Sequence, residues 1–217
     1  MVQVDIYSDP ICPWCYIGKT LFDAAIHARP DHPFTVSWQP FQLNPEMPAE
    51  GMDRRAYLET KFGGKAAAAE VYARIDQAAQ AAGLQIDWAR IDRTPNTLNA
   101  HRLIHWAGIE GGQSAVAHAL FTAYFEDGRD IGDTAVLVDI AGACGMDRDV
   151  TARLLNTDAD LDDIRARDSD ARARGLSGVP TFIVANQHVL PGAQPTEVWL
   201  QAIDEITAKL ANPDARA

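Results

Sequence analysis

The chain has 217 residues, 47% of them hydrophobic, with 19 basic and 30 acidic side chains and a formal net charge of −11. That is enough apolar material for one domain, or for one domain carrying a large insertion. The acidic balance argues against nucleic acid and anionic membrane as partners, because phosphate binding needs clustered Lys and Arg, and no apolar run approaches the roughly 20 residues of a membrane span.

Val2-Gln3-Val4-Asp5-Ile6-Tyr7 reads as a strand. It opens without a basic segment and its apolar run is short and interrupted by Asp5, which is not the pattern of a secretory leader. The expected compartment is the cytoplasm, where stable structural disulfides are uncommon. Cys12-Pro13-Trp14-Cys15 follows, and Tyr16 to His27 reads as a helix. Cys12 is thereby placed at a helix N-terminus, whose unpaired N–H groups and positive dipole end favour thiolate over thiol. A thiolate is the attacking species in disulfide exchange. Cys15, one turn along, is placed to close a disulfide. Two readings compete: a pair of ordinary buried cysteines, against which the strand–motif–helix context and the Pro-Trp insert argue, and half of a zinc site, but the only other cysteine, Cys144, stands alone with no histidine near it. No metal is expected, and Cys144 is expected to be a small buried hydrophobe.

Phe34 to Trp38 is a second strand, followed by a loop broken by Pro40, Pro45 and Pro48. From about Asp53 to about Ala173 the pattern is helical. Ala66 to Ala82 is alanine-rich. A helix is expected to open at Pro95, with Thr94 as its cap. Ser114–Phe125, Thr134–Cys144, Asp147–Leu155 and Ala159–Arg174 read as further helices, with a Gly-Asp loop at Asp127 to Asp133. Strand signals return at Pro180–Val184 and His188–Leu190, with Asn186-Gln187 as the turn. Pro195 to Leu210 reads as the last helix, and the tail from Ala211 to Ala217 as frayed. This order gives an α/β chain with a thioredoxin-type sheet interrupted by a large all-helical insertion. The expected division is 1–50 with 174–217 as the thioredoxin-like part and 51–173 as the inserted part.

Asp9-Pro10-Ile11-Cys12-Pro13-Trp14-Cys15-Tyr16-Ile17-Gly18 resembles the active-site segment of DsbA-like proteins of the FrnE type, described as dithiol–disulfide isomerases. Trp38 to Pro45, Asn96-Thr97 with Ala100 to Leu103, Ser177 to Phe182, and Gly192 to Pro195 resemble further family segments, in family order. The Ser177–Phe182 segment is similar to the loop that holds a cis-proline beside the active site. Related 2-hydroxychromene-2-carboxylate isomerases and kappa-class glutathione transferases typically have serine in place of Cys12 and an Asp-Arg pair near the last helix. Here that stretch is Gly192-Ala193-Gln194-Pro195-Thr196-Glu197, so both departures favour the dithiol branch.

The resemblance implies a thiol–disulfide oxidoreductase or isomerase with Cys12 as nucleophile and Cys15 as resolving thiol. Pro13 and Trp14 are expected to tune the pair, and the Val179 backbone with a cis Pro180 to lie beside the sulfurs. Phe41, Asn96 and His101 are the expected lining of a substrate groove, against a core or capping role for each. His101 and His105, one helical turn apart, also have the spacing of a metal pair, and a core-edge role is favoured over it. No cofactor is expected beyond the redox disulfide, with glutathione as a conceivable reductant and a protein or small-molecule disulfide as substrate. The alternatives are a glutathione-dependent isomerase or transferase of a small organic substrate, and a redox-inert binding protein or chaperone.

Overall fold

The computed structural model describes residues 1–211, so all but the first residue of the tail from Ala211 to Ala217 lies outside the described residues. A four-stranded sheet has the order β2-β1-β5-β6, from β1 (Val2–Ser8), β2 (Phe34–Pro40), β5 (Thr181–Val184) and β6 (His188–Pro191). β1 runs parallel to β2 and antiparallel to β5, and β5 pairs antiparallel with β6. Side chains alternate across a strand. Accordingly Val4, Ile6 and Ser8 of β1 are buried while Gln3, Asp5 and Tyr7 are half-buried. The register places Ile6 between Trp38 and Phe182, one buried row across three strands.

Helix α1 (Pro13–Ala28) follows β1 and packs on α9 (Thr196–Ala211), where Phe22, Phe182 and Trp199 meet edge to face or tilted at 4.8 to 5.7 Å between ring centroids. Such pairs add attraction beyond the area they bury. Between β2 and β5 lie a two-stranded ribbon, β3 (Met52–Asp53) with β4 (Arg93–Thr94), and helices α2 (Arg54–Phe62), α3 (Lys65–Ala81), α4 (Leu98–Ile109), α5 (Gln113–Phe125), α6 (Thr134–Ala143), α7 (Arg148–Leu155) and α8 (Leu161–Ala173). One hydrophobic core runs through both parts. Tyr16 of α1 stacks on Phe121 and Phe125 of α5, and the Trp38 indole donates to Ser114 Oγ at 3.0 Å.

Three local expectations shift. Thr94 is not a helix cap: it pairs with Met52 in the β3–β4 ribbon, and α4 starts at Leu98. The residue before a proline is pushed toward extended backbone, which suits Thr94 to a strand. The hairpin turn also starts one residue earlier than Asn186-Gln187, with Ala185 and Asn186 both at φ 55° and the Gln187 amide donating to the Val184 carbonyl at 3.1 Å. Cys144 is half-buried rather than buried, and partial burial raises its thiol above the ordinary value.

Candidate active site

Cys12 occupies the N-cap of α1 with extended backbone (φ −89°, ψ 113°), and Pro13 is the first helical residue. Proline fits there because the first helical N–H groups have no intrahelical acceptor. The Cys12 carbonyl accepts from the amides of Cys15 and Tyr16 at 3.0 and 3.2 Å, so the first turn closes around the two cysteines. The Cys12 thiol makes no cap bond. It faces the loop before β5, with Sγ 3.6 Å from the Val179 carbonyl oxygen. The Val179–Pro180 peptide is cis. Gly18 permits this approach: a Cβ there would lie 3.1 Å from Pro180 Cγ and 3.4 Å from the Ala193 Cα.

The two thiols have different surroundings. Cys15 is 2% exposed, and burial first, then the neighbouring Cys12, pushes its thiol well above the usual range. Cys12 lines a cavity of about 260 Å³, and Cys15 does not. Both sulfurs are buried, Cys12 at 4% exposure, and of the two Cys12 is the one on the cavity wall with Cys15 behind it. Trp14, at 37% exposure, forms part of the rim with Pro13.

Asp9 anchors the loop that carries Cys12. Its carboxylate accepts from the Leu43 amide at 2.6 Å and the Ile11 amide at 3.4 Å, while its carbonyl accepts from the Cys12 amide at 2.9 Å. Asp9 is wholly buried, and that burial lifts its carboxyl to about 6 despite those two amides. His101 Nε2 lies 3.8 Å from Asp9 Oδ1 without a hydrogen bond, and burial depresses the imidazole to about 3. Near neutral pH the pair is thus a carboxylate beside an uncharged imidazole.

Phe41, Asn96 and His101 do not line the cavity. Phe41 is 2% exposed and lies under the Arg172 guanidinium, 4.1 Å from its ring centroid. Asn96 donates to the Met47 carbonyl at 2.6 Å and accepts from the Leu98 amide at 2.9 Å, tying the post-β2 loop to the start of α4. His101 faces Asp9, whereas His105 Nδ1 meets Arg167 at 3.0 Å, so the turn-spaced histidines have separate partners. Among the described residues no group of three or more His, Cys, Asp or Glu is placed to hold a metal ion. Each is drawn into the core from a different place: His101 sits on α4, which is buried on most of its surface, Asn96 fastens the loop before it, and Phe41 is buried just after β2.

The wall opposite Cys12 comes from α2 and α3. Arg54, Tyr57, Leu58 and Lys61 line it from α2, and Val71, Tyr72 and Ile75 from α3. Sequence reasoning missed these residues. The available signal was spacing alone: positions 54, 57, 58 and 61 recur at i, i+3, i+4 and i+7, one face of a helix, but two of the four are cations, so no apolar stripe marks that face. Arg54 Nη2 donates to the Tyr72 hydroxyl at 2.9 Å and Nη1 to the Tyr124 hydroxyl at 3.3 Å. Its guanidinium lies 5.3 Å from the Tyr72 ring centroid and 5.1 Å from that of Trp88.

Comparison with known proteins matches this architecture. The crystal structure of a probable DsbA oxidoreductase from Streptomyces coelicolor superposes with a TM-score of 0.84 at 31% identity, covering 96% of this chain and 91% of that one. An uncharacterized protein of Bacillus subtilis, YwbO, is 27% identical over 205 residues, 94% of this chain and 96% of its own. The cytosolic disulfide reductase DsbM of Pseudomonas aeruginosa, solved with GSH, shares the fold at a TM-score of 0.66 and 20% identity, covering 97% and 98% of the two chains. The model of the DSBA-like thioredoxin domain matches residues 3–204, and with that nearly end-to-end match the chain belongs to the DSBA-like family, whose chemistry is thiol–disulfide oxidoreduction.

Proposed function

We propose that this protein carries out thiol–disulfide exchange through Cys12 and Cys15, with Cys12 as the attacking sulfur. The observation that carries the reading is the asymmetry of the pair: Cys12 faces the cavity, and Cys15 is enclosed with its thiol pushed up. The Cys12 thiolate attacks a substrate disulfide, forming a mixed disulfide and releasing one substrate thiolate, which takes up a proton. Cys15 then loses its proton and attacks Cys12 Sγ. That step forms the Cys12–Cys15 disulfide and releases the second substrate thiol. The substrate gains two electrons and the protein gives up two. A small thiol present in excess returns them, two molecules per turnover, and glutathione fits that role. This sets the protein in the cytoplasm; among the described residues no helix is long and apolar enough to cross a membrane. Phe41, Asn96 and His101 act in this proposal only by holding the frame around the motif.

An insulin-reduction and scrambled-disulfide assay tests the reading, with wild type, Cys12→Ser and Cys15→Ser compared with and without glutathione. Cys12→Ser is expected to lose activity entirely, and Cys15→Ser to accumulate mixed disulfides at Cys12. Undiminished turnover by Cys15→Ser with glutathione would instead mark a monothiol exchange in which glutathione, not Cys15, resolves the mixed disulfide, and a wild type inactive in both assays would favour a glutathione-dependent transferase or isomerase. Undiminished turnover by Cys12→Ser would remove the proposal.

A further inference from the structure

We propose that the substrate meeting Cys12 is a small, largely apolar disulfide bearing a carboxylate, and that Arg54, assisted by Lys61, selects it. The proposal rests on the thiol–disulfide function and names its substrate class. The cavity wall contains two cations, Arg54 and Lys61, and no Asp or Glu. The chain as a whole has 30 acidic residues against 19 basic ones, so a cavity free of carboxylates runs against its composition.

Arg54 is 9% exposed, and neither it nor Lys61 takes part in an ion pair among the described residues. By contrast, its neighbours Arg55 and Lys65 both pair with Glu59. Removing a guanidinium from water without an anion is costly. Two tyrosine hydroxyls and two aromatic faces offset that cost here. They occupy one N–H on each terminal nitrogen and leave three of the five N–H donors, on Nε and on both Nη atoms, to grip a carboxylate. Lys61 lies over the Tyr57 ring at 5.1 Å, also without a carboxylate. Much of the rest of the cavity is apolar, with Ile11, Leu43, Val71 and Ile75 in its lining beside Thr94 and the tyrosines. A ligand that satisfies both parts has an acidic end for Arg54, an apolar body for this wall and a sulfur at Cys12.

Two aromatic disulfides test the selection: 5,5′-dithiobis(2-nitrobenzoate), which carries carboxylates, and the neutral 4,4′-dithiodipyridine. Losing one charge-assisted interaction in a partly buried site costs about 10- to 100-fold. Arg54→Met is expected to lose that much in kcat/KM on the acid, mainly through KM, and to stay within about twofold on the neutral compound. Arg54→Lys, which retains charge but not the fork, should fall between, and Lys61→Met should cost roughly threefold. Equal losses on both disulfides would overturn the proposal, as would a wild type that prefers glutathione disulfide to the aromatic acid. A second arm needs no redox chemistry. Binding of 4-(methylthio)benzoate and of its amide is followed by tryptophan fluorescence in Cys12→Ser/Cys15→Ser protein. The acid should bind at least tenfold tighter, and Arg54→Met should erase the difference. If no disulfide is turned over, the exchange function fails while this arm still decides the acid preference. Equal binding of acid and amide would refute the Arg54 assignment by itself.

Discussion

Arg102 and Arg54 are both buried arginines from the stretch between β2 and β5, and they are held in opposite ways. Arg102 donates from Nε to the Ala159 carbonyl at 2.7 Å, from Nη2 to the Leu154 and Thr157 carbonyls at 2.7 and 2.8 Å, and from Nη1 to Asn99 at 2.8 Å. It closes the α7–α8 loop onto α4. Arg54 reaches two hydroxyls and two ring faces. Their helices differ in the same sense: seven residues of α4 are buried, but only Arg54 of α2. The side of the molecule behind the sulfurs is wired through backbone carbonyls, while the side facing the substrate is a thin wall with free donors. Fixed geometry suits sulfur chemistry, and a lightly attached wall suits substrate choice.

The same substitution made on both sides gives the largest contrast. Arg102→Met strands the Thr157 and Ala159 carbonyls, while that of Leu154 keeps the Thr157 amide and hydroxyl, and is expected to cost ~3–5 kcal/mol. Arg54→Met leaves hydroxyls that can turn to the cavity and should cost no more than about 1 kcal/mol. Chemical denaturation measures both, and equal losses would break the comparison.

Next comes the Asp9–His101 pair. Its carboxyl is raised, so between its unfolded value and about 6 the folded state holds the extra proton, and stability falls as pH rises. His101 is lowered to about 3, so the unfolded state holds its proton over that window, and stability rises with pH. The two slopes oppose each other in wild type. From pH 4 to 6, Asp9→Asn should gain stability with pH by up to ~1.4 kcal/mol per unit, and His101→Gln should lose it at up to that rate. Slopes of the same sign in both variants would exclude the opposition.

A smaller effect belongs to α3. Ala73 is exposed mid-helix, and Ala73→Gly should cost about 1 kcal/mol. In a wall that opens by itself, this appears as roughly fivefold faster amide exchange in α3 with an almost unchanged melting temperature. A matching fall in global stability would show instead that the wall unfolds only with the rest. The smallest change lies in the β5–β6 turn, remote from this contrast. Ala185, at φ 55°, is in the left-handed region, and Ala185→Gly should raise stability by about 0.5–1 kcal/mol.

The motif was legible because its chemistry depends on local spacing. Cys12 at a helix start and a proline opening β5 can both be read without knowing what packs where. The positions of Phe41, Asn96 and His101 could not, because they depend on how a largely buried helix, the loop before it and the loop after β2 pack together. Arg102 beside His101 shows the difficulty: two polar residues in succession on α4 are both buried, against different partners. Thr94 was misread because a capping residue and a strand residue before proline share one local pattern. Arg54 was not singled out because nothing local marks one arginine of an Arg-Arg pair as interior, and only the facing tyrosines make it so.

The shared core has an evolutionary consequence. Tyr16 immediately follows the reactive motif yet stacks on two phenylalanines of α5, and its hydroxyl donates to Glu126 at 2.5 Å. The inserted stretch is therefore not a cassette: excising it would strip the floor from the residues that hold the cysteines, and a foreign insert would have to reproduce that stacking. In the reading proposed above, substitutions on the cavity-facing side of α2 and α3 change which molecule is admitted and leave that stacking in place.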